Sequence, residues 1–150
     1  MGIERYIAAA SMGLFAMFAA EIVVFYDFLQ DPHMPIEATP KILQFVSIGV
    51  APACILAGVS YIMSRRYGSR AIGIMICAGG AAMLAGMAYA HTQVDGIAAE
   101  HIEFAVRAVP AVFAAVSVAV IAVGASLLRE RKRPRRHSSI DHASWTQSDD

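Results

Sequence analysis

The chain has 150 residues, 57% of them hydrophobic and only 16% charged, with a mean hydropathy of +0.55. Ordinary soluble domains carry about 25% charge, so this composition excludes a water-soluble domain as the main body of the protein and points to lipid. The formal net charge is zero, with twelve basic and twelve acidic side chains, but the two signs are unevenly placed along the chain.

A hydrocarbon core of ~30 Å needs about 20 residues of helix, and four apolar runs meet that length: 6–29, 42–63, 71–90 and 104–128. Barrel strands would instead alternate apolar and polar residues over about ten positions, and these runs are apolar all round. The expected fold is an all-α integral membrane protein, four transmembrane helices in an up-down-up-down bundle. Residues 1–136 form the membrane domain, and 137–150 form a polar, disordered cytoplasmic tail.

The first run is too long for the apolar region of a cleaved signal peptide, and Phe18 would stand at −3 of a cut after Ala20, where a small residue is needed. Gly2 does not open a myristoylation motif, because Tyr6 occupies the Ser/Thr position. This span carries Glu21 and, near its end, Tyr26 and Asp27, which together suggest a polar path leading outward from Glu21. The connection that follows, "QDPHMPIEATPK", holds Asp31 and His33 and is stiffened by Pro32, Pro35 and Pro40 into a shaped cap.

The second span contains Pro52, which removes one backbone hydrogen bond and is expected to bend the helix; Pro110 should do the same in the fourth. Cys54 and Cys77 read as small packing residues inside the second and third spans. In the third span Ala78, Ala82, Gly86 and Ala90 form a small-residue ridge at four-residue spacing, matched by Ala111, Ala115 and Ala119 in the fourth. Such ridges let helices approach closely, within one chain or between chains.

Between the third and fourth spans lies "AHTQVDGIAAEHIE", with His91, Asp95, Glu100, His101 and Glu103. Thr92 or Asp95 is a suitable N-cap, placing the start of the fourth helix near Ile97. Glu100, Glu103 and Arg107 would then share one stripe. A charge at the centre of a spanning helix costs about 2.5–3.5 kcal/mol on insertion scales. The economical expectation is therefore an intramembrane pair between Glu21 and Arg107.

His33, His91 and His101 gather with the carboxylates on one face, and Met83, Met87 and His91 follow a four-residue ridge. Imidazole with thioether suits copper(I), and the carboxylates suit zinc, so His33, His91, His101 and Met87 are the candidate ligands for either metal. Methionines filling gaps and interfacial histidines bonded to water are the simpler account of the same residues. No histidine lies deep enough in a span to serve as a haem ligand.

After the fourth span come Arg129, Arg131, Lys132, Arg133, Arg135 and Arg136, a juxtamembrane cluster suited to anionic lipid headgroups. It has no nucleic-acid-binding module behind it. With Arg5, Arg65, Arg66 and Arg70 at the same end, the positive-inside rule places both termini in the cytoplasm and the 30–41 and 91–103 connections outside, as expected in the plasma membrane of a prokaryote.

A four-helix chain with one glutamate in its first span resembles the small multidrug resistance exporters. It departs from them in that Glu21 falls late in the helix and the second and third spans are not rich in aromatic residues. No catalytic motif is present. The first expectation is a small accessory or assembly subunit of a larger membrane complex, meeting other integral subunits or its own copies through an outward His/carboxylate surface. The alternatives are a homo-oligomeric transporter or proton-coupled carrier using Glu21 and Arg107, and an outward-facing copper or zinc protein.

Overall fold

Helix α1 runs from Ile3 to Gln30, and the second span is a composite of α2 (Ala38–Phe45), a π turn (Val46–Val50) and α3 (Ala51–Arg65). The third span is α4 (Arg70–Gln93), closed by a 3-10 turn (Val94–Gly96), and α5 (Phe104–Arg129) is the fourth. This computed structural model describes residues 2–30, 37–65, 69–97 and 104–129. Asp31, Pro32, His33, Pro35, Arg66, Glu100, His101, Glu103, Arg131, Lys132, Arg133, Arg135, Arg136 and the tail 137–150 lie outside the described residues. All four spans are long and apolar enough to cross a membrane, and no strand occurs among the described residues.

Several boundaries differ from those expected. The second span begins at Ala38, so Pro40 stands in the first turn of α2 and not in the connection. A proline is accommodated there because the first-turn N–H groups have no partner in the helix anyway. The third span continues to Gly96. Thr92 turns its hydroxyl back onto the Tyr89 carbonyl at 2.6 Å and Asp95 lies in the 3-10 turn, so both residues finish the third span and neither caps the fourth.

Helix directions follow from specific contacts. Ser11 donates to the Ala53 carbonyl at 2.8 Å, while Phe18 packs under Gly49, so α1 and the second span are antiparallel. Gly79 lies against Met12 and Phe15 and Gly86 against Ala19, so α1 and α4 run parallel. Gly73 meets Gly124 and Leu127, and Gly80 meets Val120 and Ile121, so α4 and α5 are antiparallel.

Two glycine pairs on α4, each spaced by seven residues, thus serve two neighbours: Gly79 and Gly86 face α1, and Gly73 and Gly80 face α5. A Cβ on Gly73 would stand 2.9 Å from the Gly124 carbonyl oxygen, and one on Gly86 would stand 2.8 Å from the Ala19 Cβ. Those approaches require glycine, as close helix packing in lipid commonly does. The ridge expected at Ala78, Ala82, Gly86 and Ala90 is only partly the real one: Gly86 packs on α1 and Ala90 is buried, but the other close contacts are made by glycines that the ridge left out. Ala78 is exposed, and Ala111, Ala115 and Ala119 all lie on the outer face of α5.

The glycine contacts hold α4 between α1 and α5. The order around the bundle is α1, α2–α3, α5, α4, and α3 touches α4 little although only a short connection joins them. Short loops did not make the second and third spans close neighbours. Helices α1 and α5 lie on a diagonal and meet through long aromatic side chains: the Phe18 and Phe113 rings pack edge to face at 5.1 Å. Phe15, Phe18, Ile22, Tyr26 and Leu29 of α1 are fully buried, as are Met83 and Met87 of α4.

The two internal prolines are handled differently. Pro52 follows the π turn, where the Ala51 N–H bonds to the Val46 carbonyl five residues back. A π turn next to a residue without an N–H is a recognised cause of a helix bend. Pro110 lies fully buried inside α5.

Candidate functional site

Glu21 sits on α1 one position before the buried Ile22 and one turn before the buried Phe25. It lines a lateral groove of about 450 Å³ with Ala20, Val24, Phe25, Phe28 and Phe45. The Phe25 and Phe45 rings pack edge to face at 5.6 Å and tie α1 to α2 along that groove. The Glu21 Oε2 is buried and has no hydrogen-bond partner among the described residues. A carboxylate oxygen held among phenylalanines without a donor is unfavourable by itself, since burial of an unpaired polar group costs on the order of 1–3 kcal/mol or more.

Arg107 is the fourth residue of α5, at the end of its first turn, and is exposed. The structure does not bring it to Glu21, and no ion pair joins the two. The α5 residues turned into the bundle here are Val106, Val109 and Pro110. Arg107 follows Val106 by one position, about 100° around the helix, which carries it to the outer face. The pairing expectation treated depth alone and missed this rotation. The depths themselves agree: Tyr26 reaches the Val106 carbonyl and Phe18 meets Phe113, so Glu21 lies near the level of Pro110, about one turn from Arg107.

The polar path expected from Glu21 through Tyr26 is also corrected. Tyr26 is fully buried, and its hydroxyl donates to the Val106 carbonyl at 2.6 Å. Pro110 has no N–H, so the carbonyl four residues before it, that of Val106, lacks its helical donor. Tyr26 supplies one from across the bundle. The signal was present in the sequence, because any mid-helix proline names an orphaned carbonyl four positions earlier.

At the end of the bundle away from the termini, His91 and Asp95 are exposed, whereas Val94 and Ile97 are buried. Gly96 packs against the Gln30 side chain, so this turn closes the bundle with its apolar side and leaves its polar side out. The Met83, Met87, His91 ridge does not present a common surface. Met87 is fully buried in the core and His91 is exposed. Among the described residues no three His, Cys, Asp or Glu side chains gather closely enough to hold a metal ion.

At the opposite end Arg5, Arg65, Arg70 and Arg129 are all exposed. Sequence reasoning missed the glycine pairs and two further groups, the hydroxyls of Ser60 and Ser64, which are buried on α3 without hydrogen-bond partners among the described residues. Their one-turn spacing was visible, but not which way the helix faced. No family model, curated protein or solved structure matches the chain.

Proposed function

We propose that this protein is a small subunit that works docked inside a larger membrane assembly, with both termini and the basic end of the bundle in the cytoplasm of a prokaryotic cell. The observation that carries the reading is the outer face of α5, where the exposed Arg107 heads a row of exposed Ala111, Ala115 and Ala119. A cation one turn inside the end of a span calls for a counter-charge or a route to water, and small residues below it let a second helix come close enough to provide a counter-charge.

Extraction of the tagged chain from its native membranes in a mild detergent or in lipid nanodiscs, followed by native mass spectrometry, tests the reading. The expected result is a complex of integral membrane polypeptides in fixed stoichiometry that is lost when Ala111, Ala115 and Ala119 are replaced by leucine. A monomer in nanodiscs overturns it.

A second reading, a proton-coupled carrier, is favoured by the buried and unpartnered Glu21 oxygen at a laterally open groove. It predicts proton-linked uptake in proteoliposomes that disappears in Glu21→Gln.

A further inference from the structure

Two opposite charges in the spans have no partner among the described residues of their own chain. One is Glu21, its Oε2 buried beside an apolar groove on α1 and α2. The other is Arg107, on the outer face of α5. Diagonal placement of α1 and α5 keeps them apart in one molecule, yet they lie within about one turn of the same depth. We infer that the groove beside Glu21 is the docking site for a second copy of this chain, whose α5 lies along it and brings Arg107 to the carboxylate. This rests on the subunit reading above and names the partner.

Four features support that occupant. The charges are complementary, and a rotation of the Glu21 side chain that turns its carboxylate into the groove lets an arginine–carboxylate pair supply the donor that the buried Oε2 lacks among the described residues. Copies inserted in the same orientation share a depth scale, so Arg107 of one needs to reach only about one turn along the bilayer normal to meet Glu21 of the next, within the span of two long side chains.

The helix sense is also suitable. Within one chain α5 runs antiparallel to α1, as shown by the Tyr26–Val106 and Phe18–Phe113 contacts. An α5 from an identically oriented neighbour keeps that sense. It would lie against α1 in the direction that α3 already adopts. Finally, the surfaces are complementary in size: the groove is walled by Phe25, Phe28 and Phe45, and the incoming face below Arg107 is Ala111, Ala115 and Ala119. The contact joins different faces of the two copies, so it is heterologous.

Depth matching also supplies the test. Ala20 lines the groove and is exposed, and by the same contacts it lies level with Ala111. Two differently tagged chains, one Ala20→Cys and one Ala111→Cys, both with Cys54→Ala and Cys77→Ala, are co-expressed and oxidised in native membranes. The expected product is a disulfide between unlike tags, absent when either cysteine variant is expressed alone. Adding Glu21→Gln or Arg107→Gln should lower its yield about fivefold, consistent with loss of a charge-assisted contact in lipid. Glu21→Arg combined with Arg107→Glu in every chain should restore it; if that variant fails to insert, the Gln variants decide.

A cross-link unaffected by Glu21→Gln overturns the proposal. So does a chain that gives no self cross-link but co-purifies with foreign membrane subunits, which would leave the subunit reading standing. Monomers throughout would overturn both.

Discussion

The hydroxyl of Tyr26 donates to the carbonyl of Val106, the acceptor left without a helical donor by Pro110, and so joins two helices that are diagonal in the bundle. A proline that would otherwise loosen α5 instead creates the acceptor on which α1 docks. Tyr26→Phe should lower stability in detergent by about 0.6–2 kcal/mol, the range for a buried hydrogen bond in a membrane protein. In a Pro110→Ala background, where residue 110 regains its N–H, the same change should cost much less. Equal losses in the two backgrounds would show that the carbonyl is not what Tyr26 serves.

The glycine contacts make an ordered prediction. Gly73→Ala, Gly86→Ala and Gly124→Ala each press a methyl group to within 2.9 Å of another helix, and overpacking of that kind costs about 1–3 kcal/mol. Gly13 and Gly58 have open space at the Cβ position. Their alanine variants should be neutral or gain up to about 1 kcal/mol from helix propensity. Thermal unfolding of the five variants in one detergent checks the order, and a destabilised Gly58→Ala would contradict the assigned helix faces.

Three buried serines should separate in sign. Ser11 donates to the Ala53 carbonyl at 2.8 Å, so Ser11→Ala is expected to cost roughly 0.5–1.5 kcal/mol. Ser60 and Ser64 are buried with no hydrogen-bond partner among the described residues. Removing an unsatisfied hydroxyl relieves a desolvation cost, so Ser60→Ala and Ser64→Ala should be neutral or stabilising by about 1 kcal/mol. Denaturant titrations of the single variants would reveal any loss at Ser60 or Ser64.

Glu21 and Arg107 should be independent within one molecule. In dilute micelles that hold single copies, the effects of Glu21→Gln and Arg107→Gln on unfolding should add to within about 0.5 kcal/mol, because the side chains share no contact. Coupling is expected only in the assembled state. A measured coupling in the monomer would mean that α5 is rotated from the face described above.

The arginine distribution predicts sidedness. With Cys54 and Cys77 replaced, Asp95→Cys should react with an impermeant maleimide added outside intact cells, while Ser138→Cys should react only after lysis. Reaction of both from the same side would be incompatible with four spans.

Hydropathy and length alone determined the four spans, their alternating direction and the gathering of arginines at one end, because the cost of leaving polar backbone or charge in hydrocarbon is large and depends on little but composition. The depths of Glu21 and Arg107 were legible for the same reason. What the sequence did not carry was the rotation of each helix about its own axis. In water an amphipathic pattern marks the buried face, but in lipid the inner and outer faces are both apolar, so Ala78 and Gly79, or Val106 and Arg107, differ by one position in the chain and face opposite environments in the fold. Only close packing decided between them: glycines on α4 admitted α1 on one side and α5 on the other, the second span was left diagonal to α4, and Arg107 was turned away from the carboxylate whose depth it shares.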